Sequence, residues 1–93
     1  MNAVIICSGD NGRAVVFGWV DNVPNVGEAC VLHDARMVLY WPKECVGLLG
    51  LASDGPKRGL RLTNAVKLVK DTPNQVILLE EKVGEALRSW HNA

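Results

Sequence analysis

Two imidazoles, His33 and His91, and three thiols, Cys7, Cys30 and Cys45, are the residues from which nucleophilic or metal chemistry would have to be assembled. An activated Ser or Cys needs a base in reach and a third group that orients the base. His91 lies three residues from the end of the sequence, and His33 adjoins Asp34. Neighbouring strand residues project to opposite faces, so Asp34 does not orient His33 from the next position. Cys30 and His33 are the only close pair of soft ligands, and a separation of three on a regular strand divides them in the same way. The expectation is a non-enzyme without metal or cofactor, with its cysteines packed as small hydrophobes.

Anion chemistry is better supplied. From Gly55 to Lys70 there are five bases, Lys57, Arg58, Arg61, Lys67 and Lys70, and no acid, whereas the residues before Gly55 carry three bases and six acids. The formal net charge of zero therefore hides a local positive segment. A neutral total argues against a protein that coats a nucleic-acid polymer, because such affinity accumulates from many Lys and Arg contacts to phosphate. It leaves room for one small phosphate site. Gly55-Pro56-Lys57-Arg58-Gly59 could present backbone N–H groups and two cations to an anion, or could be a solvated turn. Ser8-Gly9-Asp10-Asn11-Gly12-Arg13 is a second glycine-rich loop, lacking the spacing of a phosphate-binding P-loop. Five aromatics, Phe17, Trp19, Tyr40, Trp41 and Trp90, could supply stacking for a nucleobase while arginine holds phosphate.

These side chains depend on a β-rich scaffold. Ala3–Cys7 and Ala14–Val20 read as two strands around a polar loop whose Asn11-Gly12 is the strongest turn signal in the chain. In the second strand Val15, Phe17 and Trp19 face one way and Ala14, Val16, Gly18 and Val20 the other, so both faces are apolar and both should be covered. A third strand near Ala29–His33 continues, after a bend at Asp34, into Ala35–Trp41. There Arg36, Val38 and Tyr40 share one face and Met37, Leu39 and Trp41 the other. Pro42 suits the first turn of a short helix, Lys43–Ala52. Leu60–Thr63 and Ala65–Val69 form another alternating segment, and after Asp71-Thr72-Pro73-Asn74 comes Gln75–Leu79, an apolar strand. Glu80–Trp90 places Val83, Leu87 and Trp90 at helical spacing with acids in the first turn. The expected fold is α+β: one small β-rich domain over residues 1–93, mostly antiparallel sheet with a short middle helix and a C-terminal helix.

With 93 residues and 48% hydrophobic content, some apolar surface is expected to be closed by a second copy, giving a homo-oligomer. Three cysteines without a C-x-x-C pair do not form the framework of a small secreted domain, and a reducing cytosol is the simpler setting. No stretch approaches the roughly 18–20 apolar residues of a membrane span, and no basic region precedes the first apolar run. The chain reads as a complete cytoplasmic protein with no membrane partner.

The segment Val31-Leu32-His33-Asp34-Ala35-Arg36-Met37-Val38-Leu39-Tyr40-Trp41, preceded by Val16-Phe17-Gly18 and followed by Leu48-Leu49-Gly50-Leu51-Ala52, resembles the Thoeris anti-defence sponge family and related small phage proteins. Their recurring pattern is a glycine-bearing strand, an L-x-x-A-R-x-x-x-Y-W strand, a short L-x-x-L-A helix, paired strands and a terminal helix. It touches Gly18, Arg36, Tyr40, Trp41 and the Leu51-Ala52 helix end. Where this chain has Ser8-Gly9-Asp10-Asn11-Gly12-Arg13, the family tends to have a short Ser-Ala-Gly turn. The resemblance implies an oligomeric, non-enzymatic phage protein that encloses a cyclic ADP-ribose-type immune signal in the cytoplasm of an infected bacterium. Related sponges take cyclic di- or trinucleotides. Joined to the reading of the residues, it gives an expected ligand site of Arg13, Arg36 and Arg58 for phosphate and Phe17, Tyr40 and Trp41 for enclosure. Arg36 has a second reading, as a strand arginine covering apolar surface and pairing with Asp34 or Glu44. The alternative for the whole chain is a structural or protein-interaction module that oligomerises without a small ligand.

Overall fold

The computed structural model describes residues 1–8, 14–45, 47–70 and 73–92. Two β-rich runs pair first: β1 (Asn2–Ser8) lies antiparallel to β2 (Ala14–Val20), from Asn2 opposite Val20 to Ser8 opposite Ala14. The Asn11-Gly12 turn that the sequence places between them lies outside the described residues. On the far side of β2 runs β3 (Cys30–Tyr40), the expected third strand and its continuation as one strand of 11 residues.

The expected bend at Asp34 is present and takes the form of a bulge. Trp19 is opposite His33 but Phe17 is opposite Arg36, so three residues of β3 span two of β2. The other neighbour, β5 (Val66–Lys70), shows the same excess, with Leu32 opposite Leu68 and Ala35 opposite Val66. Asp34 sits at φ 52°, a left-handed conformation that aspartate tolerates better than most residues. One inserted residue reverses the alternation of the strand. Leu32 and Ala35 consequently share one buried cluster although they are three apart.

The sheet curls into a partly open barrel. β4 (Arg61–Leu62) and β5 take successive stretches of the β3 edge that faces away from β2, while β6 (Pro73–Leu78) pairs with β1. Both β1 and β3 are antiparallel to β2, and β5 and β6 are each antiparallel to one of them, so β5 and β6 run in the same sense. Only two residues separate them. A flat sheet would hold its β3 and β1 flanks several strand spacings of about 4.8 Å apart, too far for that link, so the strands curl into a small barrel whose last strand is β5 followed by β6. Its interior holds Val4, Ile6, Val16, Val20, Leu32 and Ala35, each at most 1% exposed. The expected strand Gln75–Leu79 begins two residues earlier, because Pro73 opens β6, a position where its missing N–H is tolerated.

The outer faces of β1 and β2 carry a second core, Ala3, Ile5, Cys7, Phe17 and Trp19, covered by helices and by Leu60 and Leu62. β2 is thus buried on both faces, as its sequence requires. The middle helix differs from expectation: Lys43–Cys45 forms a single 3-10 turn and α1 spans Gly47–Asp54. Gly47, at the very start of α1, has φ 72°, a conformation foreign to the interior of a right-handed helix, so one helix over Lys43–Ala52 is broken at that residue. The Gly55 N–H donates to the Leu51 carbonyl at 2.9 Å and ends α1. The terminal helix α2 (Glu81–Arg88) presses Val83, Gly84 and Leu87 on the outer core. Beyond it the Trp90 indole N–H donates to the Leu60 carbonyl, and the Asn92 side chain pairs with both backbone groups of Leu62. No described helix is long and apolar enough to cross a membrane.

Candidate functional site

Arg36 stands opposite Phe17 on the outer face of the barrel, beneath the C-terminal end of α2, and only 7% of it is exposed. Its Nε donates to the Thr63 carbonyl at 2.8 Å. Its Nη1 donates to the carbonyls of Leu87 (2.8 Å), Trp90 (2.7 Å) and, at a longer 3.3 Å, Arg88. The last carbonyls of a helix lack intrahelical donors and lie at the negative end of its dipole, so a guanidinium answers both needs. Burial pushes its pKa down from the ordinary value, yet arginine stays a cation in proteins. Neither sequence reading of Arg36 describes these contacts. The Nε and Nη1 donors are committed to backbone, and Asp34 pairs with Arg88 at 3.4 Å instead. Arg88 in turn lies over the Trp19 ring, 4.1 Å from its centroid.

Of the other expected site residues, Phe17 is 1% exposed and packs edge-on against Trp19 at 6.4 Å, inside the outer core and away from any ligand surface. Arg13 lies outside the described residues. Tyr40, Trp41 and Arg58 are brought to one end of the molecule. Tyr40, 57% exposed, is the cross-strand partner of Arg61, and Trp41 follows it half-buried against the outer core. The turn Lys57–Leu60, closed by the Leu60 N–H on the Lys57 carbonyl at 3.0 Å, rests on the next residue: a Cβ at Gly59 would lie 3.5 Å from Cβ of Pro42. Lys57 and Arg58 are both exposed on this turn. In the expected anion loop the Gly55 N–H is already spent on the helix end, while Lys57 and Arg58 stand exposed on a turn that touches Pro42. Arg61 is the residue the sequence reading did not choose, although it belongs to the acid-free run that was read as positive.

Elsewhere, a groove of about 730 Å³ separates Asp54, Gly55 and Pro56 from Lys82, Ala86 and Trp90. A smaller and almost wholly apolar recess of about 310 Å³ opens at the barrel end between Val16, Ala35, Met37, Val66 and Leu68, with Thr63 and Asn64 at its side. The His33 Nε2 lies 3.8 Å from an Asp21 oxygen, and Cys7 and Cys30 have thiol pKa values raised by burial. Among the described residues no three His, Cys, Asp or Glu side chains are grouped to hold a metal ion.

A small curled antiparallel sheet with two short helices on one side defines an α+β domain. The chain belongs to the DUF6948 family, a domain of unknown function, whose extent matches residues 1–87. Neither the curated proteins nor the solved structures provide a match.

Proposed function

We propose that the protein is a non-enzymatic, oligomeric sponge that binds a nucleotide-derived immune signal in the cytoplasm of an infected bacterium and withholds it from its receptor. The observation that carries the reading is the exposed Tyr40 set opposite Arg61 and beside Trp41, with Lys57 and Arg58 on the turn packed against Pro42. Aromatic rings stack on a base and guanidinium groups fork onto phosphate oxygens. The resemblance in the Ala35–Trp41 strand points to the same ligand class, a cyclic ADP-ribose-type molecule or a cyclic oligonucleotide.

Affinity decides the architecture. Sequestration at nanomolar concentration requires about 12 kcal/mol, whereas each exposed ion pair contributes about 1 kcal/mol or less. Three or four surface cations are therefore insufficient alone, and the ligand must be enclosed, with a second copy over the open side of Tyr40.

Purified protein incubated with cyclic ADP-ribose isomers and cyclic di- and trinucleotides, then washed and heat-denatured, should release one of them intact. Tyr40→Ala and Arg58→Glu should each reduce retention at least tenfold without lowering the melting temperature. Release of a cleaved product would replace the sponge with an enzyme. Retention of none of these ligands, with no thermal shift, would refute binding altogether.

A further inference from the structure

Eleven large hydrophobic side chains are exposed among the described residues, and six of them, Val31, Met37, Leu39, Tyr40, Val66 and Val69, lie on β3 and β5. The clustering is a product of pairing. Val31 and Val69 are direct cross-strand partners, 39% and 70% exposed, on one face of the β3–β5 pair, while Val66, opposite Ala35, lies with Met37 toward the other face. Among the described residues no strand occupies the second edge of β5. An open edge beside exposed apolar side chains is a template for another strand.

We infer that β5 forms an isologous interface with a second copy of this chain, edge to edge and antiparallel, flanked on either face by exposed apolar side chains of β5 and β3. The sequence of β5, Val66-Lys67-Leu68-Val69-Lys70, suits a twofold axis at Leu68. Antiparallel pairing about that residue sets Lys67 opposite Val69 and Lys70 opposite Val66 of the second copy, so no two lysines face each other directly. The aliphatic lysine stems cover the exposed valines while their ammonium groups stay in water. A stable dimer needs about 800 Å² from each partner, which is about one-seventh of the 5482 Å² that this chain exposes. The assembly requires no ligand.

The test is the mass of the ligand-free full chain in solution, by light scattering at micromolar concentration. Twice the 10.1 kDa of one chain is expected. Val69→Lys and Val66→Lys, substitutions of exposed residues that leave the circular dichroism spectrum unchanged, should each halve the mass. Leu49→Lys, at an equally exposed leucine carried by α1, should leave it doubled. A wild-type monomer, or a dimer that survives both β5 substitutions, would overturn the interface. Hydrogen exchange gives an independent reading: β5 amides should lose protection on dilution through the dimer midpoint, and concentration-independent exchange there would overturn it as well. A dimer that retains no nucleotide refutes the sponge and leaves this interface standing. A monomer that retains nucleotide does the reverse.

Discussion

Replacing Arg36 by Met keeps much of the side-chain length and removes the cation that holds α2 to the sheet. Three short hydrogen bonds are lost, to the carbonyls of Thr63, Leu87 and Trp90, together with the longer one to Arg88. The Leu87 contact is buried and the others are partly so. A buried acceptor left unsatisfied costs about 1–3 kcal/mol, and the partly wet carbonyls, which recover water, cost less, about 1 kcal/mol each. The sum is about 3–5 kcal/mol, a large share of the roughly 5–15 kcal/mol that holds a small domain folded. At about 4–8 °C per kcal/mol for a domain of this size, the melting temperature should fall by at least 12 °C or so. Arg36→Lys should lose about half as much, since an ammonium can reach some of these carbonyls but cannot span them as a fork does. Urea titration measures the loss, and hydrogen exchange locates it: amides from Glu85 to Trp90 should open first. The reasoning is refuted if Arg36→Met stays within 1 kcal/mol of the parent, which is what a guanidinium reserved for a ligand would show. The reasoning also means that loss of ligand retention in Arg36→Ala reports on the fold as much as on the site.

Two further perturbations follow from the packing. Gly84→Ala should destabilise the protein by about 1–3 kcal/mol despite the better helix propensity of alanine, because the added Cβ would come within 2.5 Å of Cβ of Ala3 and 2.9 Å of the Trp19 ring. Thermal melts of Gly84→Ala alone and with Ala3→Gly check this, the second change restoring part of the loss. Burial raises the Cys7 thiol above its ordinary 9.0, so the folded state holds its proton at a pH where the unfolded chain releases it. That contribution is complete below about pH 8.5 and declines as pH rises toward the raised value, and Cys7→Ala should flatten the alkaline loss seen by urea titration between pH 7 and pH 10.

Much of the scaffold was legible because its signals are local. The two apolar faces of Ala14–Val20 demanded a doubly covered strand, and Asp34 inside a β-branched run announced the bend that became a bulge. The curl of the sheet was not legible, because it follows from the pairing of β5 with β3 and of β6 with β1, segments far apart in the sequence. Gly47 was visible as a weak helix residue, but its positive φ, which divides Lys43–Asp54 in two, depends on how the turn meets the core. The site was half legible. Charge counting found the cations at Lys57, Arg58 and Arg61, and the strand pattern found Tyr40 and Trp41. Arg36 misled because its partners are main-chain oxygens of residues 27 to 54 positions away, and a carbonyl leaves no mark in a sequence. Phe17 misled because its alternation marked which face it shares but not that this face lies under α1 and α2.

The curl of the sheet has one more consequence. A barrel of so few strands has no lumen: Val4, Ile6, Val16, Val20, Leu32 and Ala35 fill it to the axis, and a Cβ at Gly18 would already press within 2.8 Å of Leu32. The inside of the barrel is masonry throughout, so anything the size of a nucleotide would have to be met on its outer surfaces.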